Sequence, residues 1–497
     1  MTDDREFDRI LEEGLSDLPL PEGEAEEITP WKRAMVRITW GIGLTTIHLS
    51  FWYLNYLLPA IGMVLLWLGF RTLRRENKWF AAGWLISVYQ VFSMFTSLVS
   101  NATLWRSPEE IPWWIWLTLA IPLTQLICLW QGIRAVRRKA GQPDEARAAG
   151  ALVVWHGVLC VLAIIGVEGW LLILPMLVAY VRILRNLFKL SNLLDGAGYQ
   201  VQAAPVWVSD RTAWVTYFLA LVAAIWGAAL LFGRYQMEWT LVETDEQAGL
   251  EEIRAQLLKM DFPVYVLDDL SVEDLADCAG AIRVEADWEE NPMNGRRKVA
   301  QNTKCFTEVG TMHHDCTLEL TNVAVALPDN RWKVFHYFRW QELPKVRGTE
   351  SIQLCVDGVT PESYFVSEDQ YSLHLSGRLL CDRDGTACQS DYYSLARENE
   401  YTYDFFGNNP GRDIYAEFSL PMDGEHCRGY VSYTAQRQDK DWICFWSQMN
   451  YTHQISWLNY PAITAKEYRM THLFGNSVFD TVQTDLQACL DLPDTTP

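Results

Sequence analysis

Histidine is the side chain most often used to ligate a metal or haem or to carry a proton near neutral pH. Of the nine histidines, His48 and His156 fall in long stretches that are almost free of charge. Ionisable groups in such stretches are candidate sites by default. Two imidazoles could hold a haem or metal, or serve a transporter component or an intramembrane enzyme. The plainer alternative is a neutral imidazole bonded to a neighbouring helix. Met312-His313-His314-Asp315-Cys316, with Cys305 nearby, gathers zinc-ligand types, but neither C-x-x-C nor H-E-x-x-H occurs. Asp382, Asp384 and Thr386 fit the start of a calcium loop, yet its twelfth position would be Tyr393 in place of Glu. There is no G-x-S-x-G, P-loop or G-x-G-x-x-G. No catalytic residue, metal site or cofactor is assigned on these grounds.

Cysteine is the other reactive type. Nine of the 11 cysteines follow residue 233; Cys128 and Cys160 do not. Such a bias suits an oxidising compartment. Cys381 and Cys388 bracket a tight Asp-Gly turn, and Cys305 and Cys316 a longer loop, so both pairs are candidate disulfides. Reduced, buried thiols are the alternative. Nine is odd, which leaves at least one thiol without a partner in this chain.

Three blocks must position these residues. Residues 1–30 hold 11 acids and 2 bases; 31–233 hold 8 acids and 17 bases; 234–497 hold 43 acids and 22 bases. The last block repels phosphate, so nucleic acid is not an expected partner. The acidic, polar opening does not read as a cleavable signal. Within it, Phe7, Ile10, Leu11 and Leu15 form one helical stripe ended by Pro19 and Pro21. That stripe could dock into a basic cytoplasmic protein, or pack on the chain's own loops.

Between Arg37 and Arg71 lie 33 residues without a charge. As one helix they would rise about 50 Å against a hydrocarbon core of roughly 30 Å. Bases flank both ends, and bases prefer the cytoplasmic side. Two short helices with a turn near Tyr53–Pro59 satisfy both constraints, with Pro59 in the first turn of the second helix and Trp52, Tyr53 and Tyr56 at the outer interface. Residues 148–181 repeat the layout around Glu168, which would cap the outer turn. Arg71-Thr72-Leu73-Arg74…Lys78 matches Arg182-Ile183-Leu184-Arg185…Lys189 at an offset of 111. Either a helical hairpin is repeated, or inward-leaving helices simply end in bases.

The spacing predicts about seven spans: 34–53, 57–75, 79–105, 111–133, 148–166, 170–188 and 212–233. The loops assigned inside then hold 16 bases, and those outside only Arg106. This places the N-terminus in the cytoplasm and residues 234–497 outside the cell membrane. In that last block, helical patterns are expected at 243–260 and 477–490. Strands are expected over 316–327, 332–340, 371–381, 412–420, 427–436 and 442–453, separated by turn signals. The fold expected is a membrane α-helical bundle, two pairs of spans forming tight hairpins, followed by an extracytoplasmic α+β domain with an antiparallel sheet.

The opening stretch, with Phe7…Leu11-Glu12-Glu13-Gly14-Leu15, Ile28-Thr29-Pro30-Trp31-Lys32-Arg33-Ala34-Met35, Leu58-Pro59-Ala60-Ile61-Gly62 and Phe70-Arg71-Thr72-Leu73-Arg74-Arg75-Glu76-Asn77, resembles uncharacterised multi-pass membrane proteins of anaerobic bacteria over about the first fifth of the chain. The resemblance implies a bacterial plasma membrane and brings no catalytic residues. The function expected is a non-enzymatic sensor or regulator, with the lipid bilayer as one partner. A transporter component or intramembrane enzyme using His48 and His156 is an alternative, and an envelope scaffold another. The sequence does not fix the oligomeric state.

Overall fold

The computed structural model describes residues 29–46, 49, 51, 53–105, 112–166, 170–196, 200–242, 250–293, 299–302, 305–308, 316–328, 331–359, 371–397, 402–404, 407–409, 413–437, 444–472 and 474–489. The chain forms two units, one of residues 1–100 and 106–225, the other of 101–105 and 226–497.

The first unit is helical. Its described elements are α1 (Pro30–Thr46), α2 (Leu54–Leu73), α3 (Lys78–Ser100), α4 (Pro112–Lys139), α5 (Arg147–Ile165), α6 (Trp170–Gly196) and α7 (Asp210–Phe232), the last running into the second unit. By length and composition, 5 candidate spans emerge: α2, α3, the Leu119–Lys139 part of α4, α5 and α7. The helix α1, with 17 residues, and α6 are not among them.

The hairpin α1–α2 packs through glycines. A Cβ on Gly62 would lie 2.8 Å from the Gly41 carbonyl oxygen, and one on Gly69 2.9 Å from that of Ala34. Phe70 rests against Gly83 and Phe80 against Gly132, so small residues set the helix spacing. Helix α2 starts earlier than expected, after Tyr53 with φ 60, which leaves Pro59 inside the helix rather than in its first turn. A proline there removes one helical hydrogen bond, a loss that neighbouring groups in membrane bundles can offset. Asn77 Oδ1 accepts from the Trp79 and Phe80 N–H at 3.1 and 3.0 Å and starts α3. Ion pairs set one partner at a helix end: Asp210 opens α7 and Lys139 closes α4. Asp210 pairs with Arg37 at 2.6 Å and Arg71 at 3.4 Å, and Glu76 with Lys139 at 2.9 Å.

The second unit is built on two antiparallel sheets. One has 7 strands in the order β1 (Thr240–Leu241), β9 (Thr386–Ser390), β8 (Tyr371–Arg383), β14 (Glu425–Arg437), β6 (Arg331–Glu342), β5 (Cys316–Leu327), β2 (Arg283–Met293). The other has 5, in the order β10 (Ser394–Arg397), β13 (Ile414–Phe418), β7 (Glu350–Val359), β15 (Cys444–Gln454), β16 (Phe479–Cys489). Two ribbons, β3 (Val299–Asn302) with β4 (Cys305–Glu308) and β11 (Thr402–Asp404) with β12 (Gly407–Asn409), complete the strands described. Short helices α8 (Glu251–Lys259), α9 (Val264–Asp268) and α10 (Val272–Ala276) precede β2, and α11 (Ala465–Thr471) precedes β16.

The core lies in two layers. Leu320, Val334, Phe338, Leu354, Phe418 and Tyr451 pack in one cluster that draws on both sheets. On the other side of the larger sheet, Leu257, Val266, Leu267 and Leu275 of α8–α10 meet Val323, Val325, Phe335 and Tyr337. Burial on both faces explains the apolar run Val323–Leu327 of β5, since neither face is left for water there.

The six expected strands all occur. The expected helix over 477–490 is strand β16 instead. Its apolar residues Val482 and Leu486 are four apart, a spacing that suits a helix and an alternating strand alike. The buried residues 482, 484 and 486 alternate, and β-branched Thr481, Val482 and Thr484 favour the strand.

The candidate disulfides are not formed; among the described residues there is none. Cys381 and Cys388 do face each other, across a turn in which Asp384 and Gly385 have φ 49 and 75. The residues closing such a two-residue turn form a hydrogen-bonded pair, so the alternation along the ladder makes Cys381 and Cys388 one too. Opposed Cβ atoms are then about 5.5 Å apart, where a disulfide needs roughly 3.5–4.5 Å. Both thiols pack into the core, where burial pushes Cys381 up to about 11. Cys305 lies opposite Asn302 in the β3–β4 ribbon, while Cys316 lies opposite Met293 in the large sheet.

Candidate functional site

A cleft of about 880 Å³ opens in the second unit. Four stretches of chain line it: Gln236–Thr240, Ser271–Asp274 at the start of α10, Ser376–Arg378 of β8, and Gln389–Tyr393, with Tyr430 of β14. Antiparallel pairing of β8 with β9 and β14 brings the last three together.

Asp274 is the polar centre of the floor. Ser271 caps α10 by accepting from the Asp274 N–H at 3.1 Å, which fixes the carboxyl beneath the cleft. Its oxygens accept from Tyr430 at 2.7 Å, Ser376 at 2.6 Å and Ser432 at 2.9 Å. Lys333, fully buried on β6, reaches Asp274 at 2.7 Å and Asp277 at 3.0 Å. Burial alone would raise the Asp274 carboxyl, but the Lys333 ammonium and the hydroxyl donors hold it at about 2. Burial, with the Asp274 carboxylate beside it, pushes the Tyr430 hydroxyl up.

A serine hydroxyl near a lysine could in principle be a nucleophile with its base. Here Lys333 Nζ donates to Ser376 Oγ at 3.3 Å. The same ammonium is ion-paired to two carboxylates, and Ser376 donates to Asp274, so Lys333 is arranged as a held cation rather than a base.

A second set of bonds fixes the approach to α10. Arg378 donates to the Asp269 and Leu270 carbonyls at 3.1 and 3.0 Å and to Gln389 at 2.6 Å. Arg428 pairs with Asp269 at 2.8 Å and Asp382 at 3.1 Å. Gly377 has no room for a Cβ, which would run into the Tyr430 carbonyl oxygen. At the mouth, Tyr393 stacks on Tyr235 with centroids 4.3 Å apart. The exposed carboxylates Glu238, Glu273 and Asp391 line the same cleft.

The residues singled out from sequence lie elsewhere. Phe7, Ile10, Leu11, Leu15 and His48 are outside the described residues, as are Glu168 and Met312–Asp315. His156 is half-buried on α5. Asp382 is engaged by Arg428 and by His426 at 2.9 Å. No group of three or more His, Cys, Asp or Glu able to hold a metal occurs among the described residues. The Asp274 centre was foreshadowed only by Ser271-Val272-Glu273-Asp274, which reads as a helix cap, and by Lys333 between Trp332 and Val334 of an aromatic-rich strand.

No family model matches the chain, and no curated protein does. Among solved structures, a chain from "pH-induced modulation of Streptococcus parasanguinis adhesion by Fap1 fimbriae" is similar at 11% identity, covering 35% of this chain and 76% of that one, with a TM-score of 0.16. That score carries no argument.

Proposed function

We infer that the protein is a membrane-anchored binding protein, a sensor or regulator whose β domain captures a cationic, hydrogen-bonding ligand. The observation that carries this reading is the cleft itself, whose lining includes the exposed carboxylates Glu238, Glu273 and Asp391 and the exposed ring of Tyr393. Arg378, the cation of the same lining, spends its donors on protein oxygens. A concave site lined by one sign of charge focuses its field on ligands of the opposite sign. The ring of Tyr393, 61% exposed, adds attraction for an amine or guanidinium. Binding rather than catalysis is favoured because Ser376 donates to Asp274 and Lys333 is held between Asp274 and Asp277, so the serine has no free base beside it.

The proposal takes the finer topology from the charges. Seven crossings, with 16 bases in the inner loops and Arg106 alone outside, leave the first 30 residues in the cytoplasm and the cleft outside a bacterial cell membrane. On this reading the acidic segment, through the apolar stripe of Phe7, Ile10, Leu11 and Leu15, docks a basic cytoplasmic partner and reports occupancy of the cleft.

The test is calorimetric titration of the full chain in lipid nanodiscs with trilysine and triglutamate as probes. Trilysine is expected to bind and triglutamate not. Glu273→Gln with Asp391→Asn should weaken trilysine about three- to tenfold, from two exposed charge pairs. Equal binding of both probes, or no change in the double variant, would refute the reading.

A further inference from the structure

The chain enters the β domain at one end of the sheets. Leu104 donates from its backbone N–H to the Phe232 carbonyl at 2.9 Å, and Ala462 to that of Asn101 at 2.7 Å. Asn101 follows directly on α3, and Phe232 ends α7, both of them candidate spans. Three loops share this end. Arg234, two residues past α7, donates to the Leu420 carbonyl at 2.6 Å. Arg347 donates to the Met422 carbonyl at 2.9 Å, and Thr349 is bonded to Gln454 at 3.2 Å and to the Ala465 N–H at 3.0 Å. The loops after β6, β13 and β15 are therefore tied to one another and to the two helix exits.

This end also presents large apolar side chains to the outside. Trp105 is 81% exposed, Trp457 65%, Met422 63% and Leu458 49%. Bulky apolar groups gathered on one face mark an interaction site, and tryptophan in particular favours the boundary between lipid and water. Covalent continuity with two apolar helices fixes what that face meets. A group a few residues from a span's end cannot be far from the surface of the bilayer the span crosses.

We propose that Trp105, Met422, Trp457 and Leu458 form a lipid-facing rim that seats the β domain in the interfacial layer of the leaflet from which α3 and α7 emerge. The rim takes phospholipid as its partner, whichever side of the membrane the domain occupies. It is independent of the cleft, whose lining includes none of the four.

The experiment places the photoreactive residue p-benzoylphenylalanine at 105, 422 or 457 of the full chain, in phosphatidylcholine nanodiscs. Ile282, 62% exposed at the start of β2 beside Ala326, is the control at the other end of the large sheet. Irradiation followed by intact-protein mass spectrometry should give phospholipid adducts at 105, 422 and 457 and none at 282. Thermal melting checks that each variant is folded, and any one of the three rim positions suffices for the comparison. Adducts to protein alone, no adduct at the rim, or equal lipid adducts at 282 would overturn the proposal. Loss of trilysine binding with intact lipid adducts would count against the cleft and leave the rim standing.

Discussion

The two units bury opposite things. In the helical unit, contact surfaces are made by glycine and aromatic pairs, and the ion pairs Arg37–Asp210 and Glu76–Lys139 each place one partner at a helix end. Large apolar residues such as Leu174, Leu219 and Val222, at 67%, 66% and 64% exposure, point outward. In the β unit the apolar residues turn inward, and polar groups are carried into the interior with them: the ion pair of Lys333 and Asp274 beneath the cleft, His453 bonded to Glu350 at 2.7 Å, His336 between Asn322 and Ser447. Burial pushes His336 down to about 3, so it serves as a neutral bridge between the sheets. The difference is one of solvent. A helix in hydrocarbon satisfies its own backbone and needs close packing, whereas a domain in water drives apolar groups inside and can hold a buried charge only in a complete network.

The largest break in that comparison should come from Lys333→Ala. It strands the Asp274 carboxylate in the interior and should cost about 3–5 kcal/mol of β-domain stability, read from the denaturant midpoint of the full chain. Lys333→Met combined with Asp274→Asn should recover much of this, since no unpaired charge remains. An equal loss in both would show that the network is not what the charge is for.

Acid probes the same network. The folded Asp274 carboxyl lies near 2, below the ordinary 3.8. Its contribution is therefore present above the unfolded value and lost as pH falls from about 4 to about 2, an effect of about 2–3 kcal/mol. Asp274→Asn should flatten that part of the stability-against-pH curve. An unchanged slope in the variant would contradict the assignment.

In the helical unit the sensitive positions are glycines. Gly62→Ala forces a Cβ against the Gly41 carbonyl and should cost about 1–3 kcal/mol, measured as a lower melting midpoint in nanodiscs. The smallest effect is expected from reductant. With Cys381 and Cys388 at a hydrogen-bonded pair position, the denatured chain should label at both thiols without prior reduction. Protection of both until reductant is added would restore the bridge.

What could be read from the sequence follows the same division. The helix positions were legible because charge-free runs bounded by bases favour helices; a helix stands at each of the seven expected places among the described residues, and five of them are long and apolar enough to cross a membrane. The strands over 316–327 and 427–436 were legible from β-formers between turn residues. Strands β2 and β7 were not, because Arg283–Met293 and Glu350–Val359 mix acids with apolar residues and lack a clean period. The cleft was invisible for a different reason. Ser271, Ser376 and Tyr430 become neighbours only through sheet order, and nothing local in Asp274 announces a lysine on β6.

The central claim is that the base-flanked loop between α4 and α5 and the cleft-bearing domain lie on opposite sides of the membrane. Paired reporters, one active only in the cytoplasm and one only outside, fused after residue 142 and after Pro497, test it most directly. The account expects cytoplasmic activity at 142 and external activity at 497; activity on the same side at both positions would contradict it.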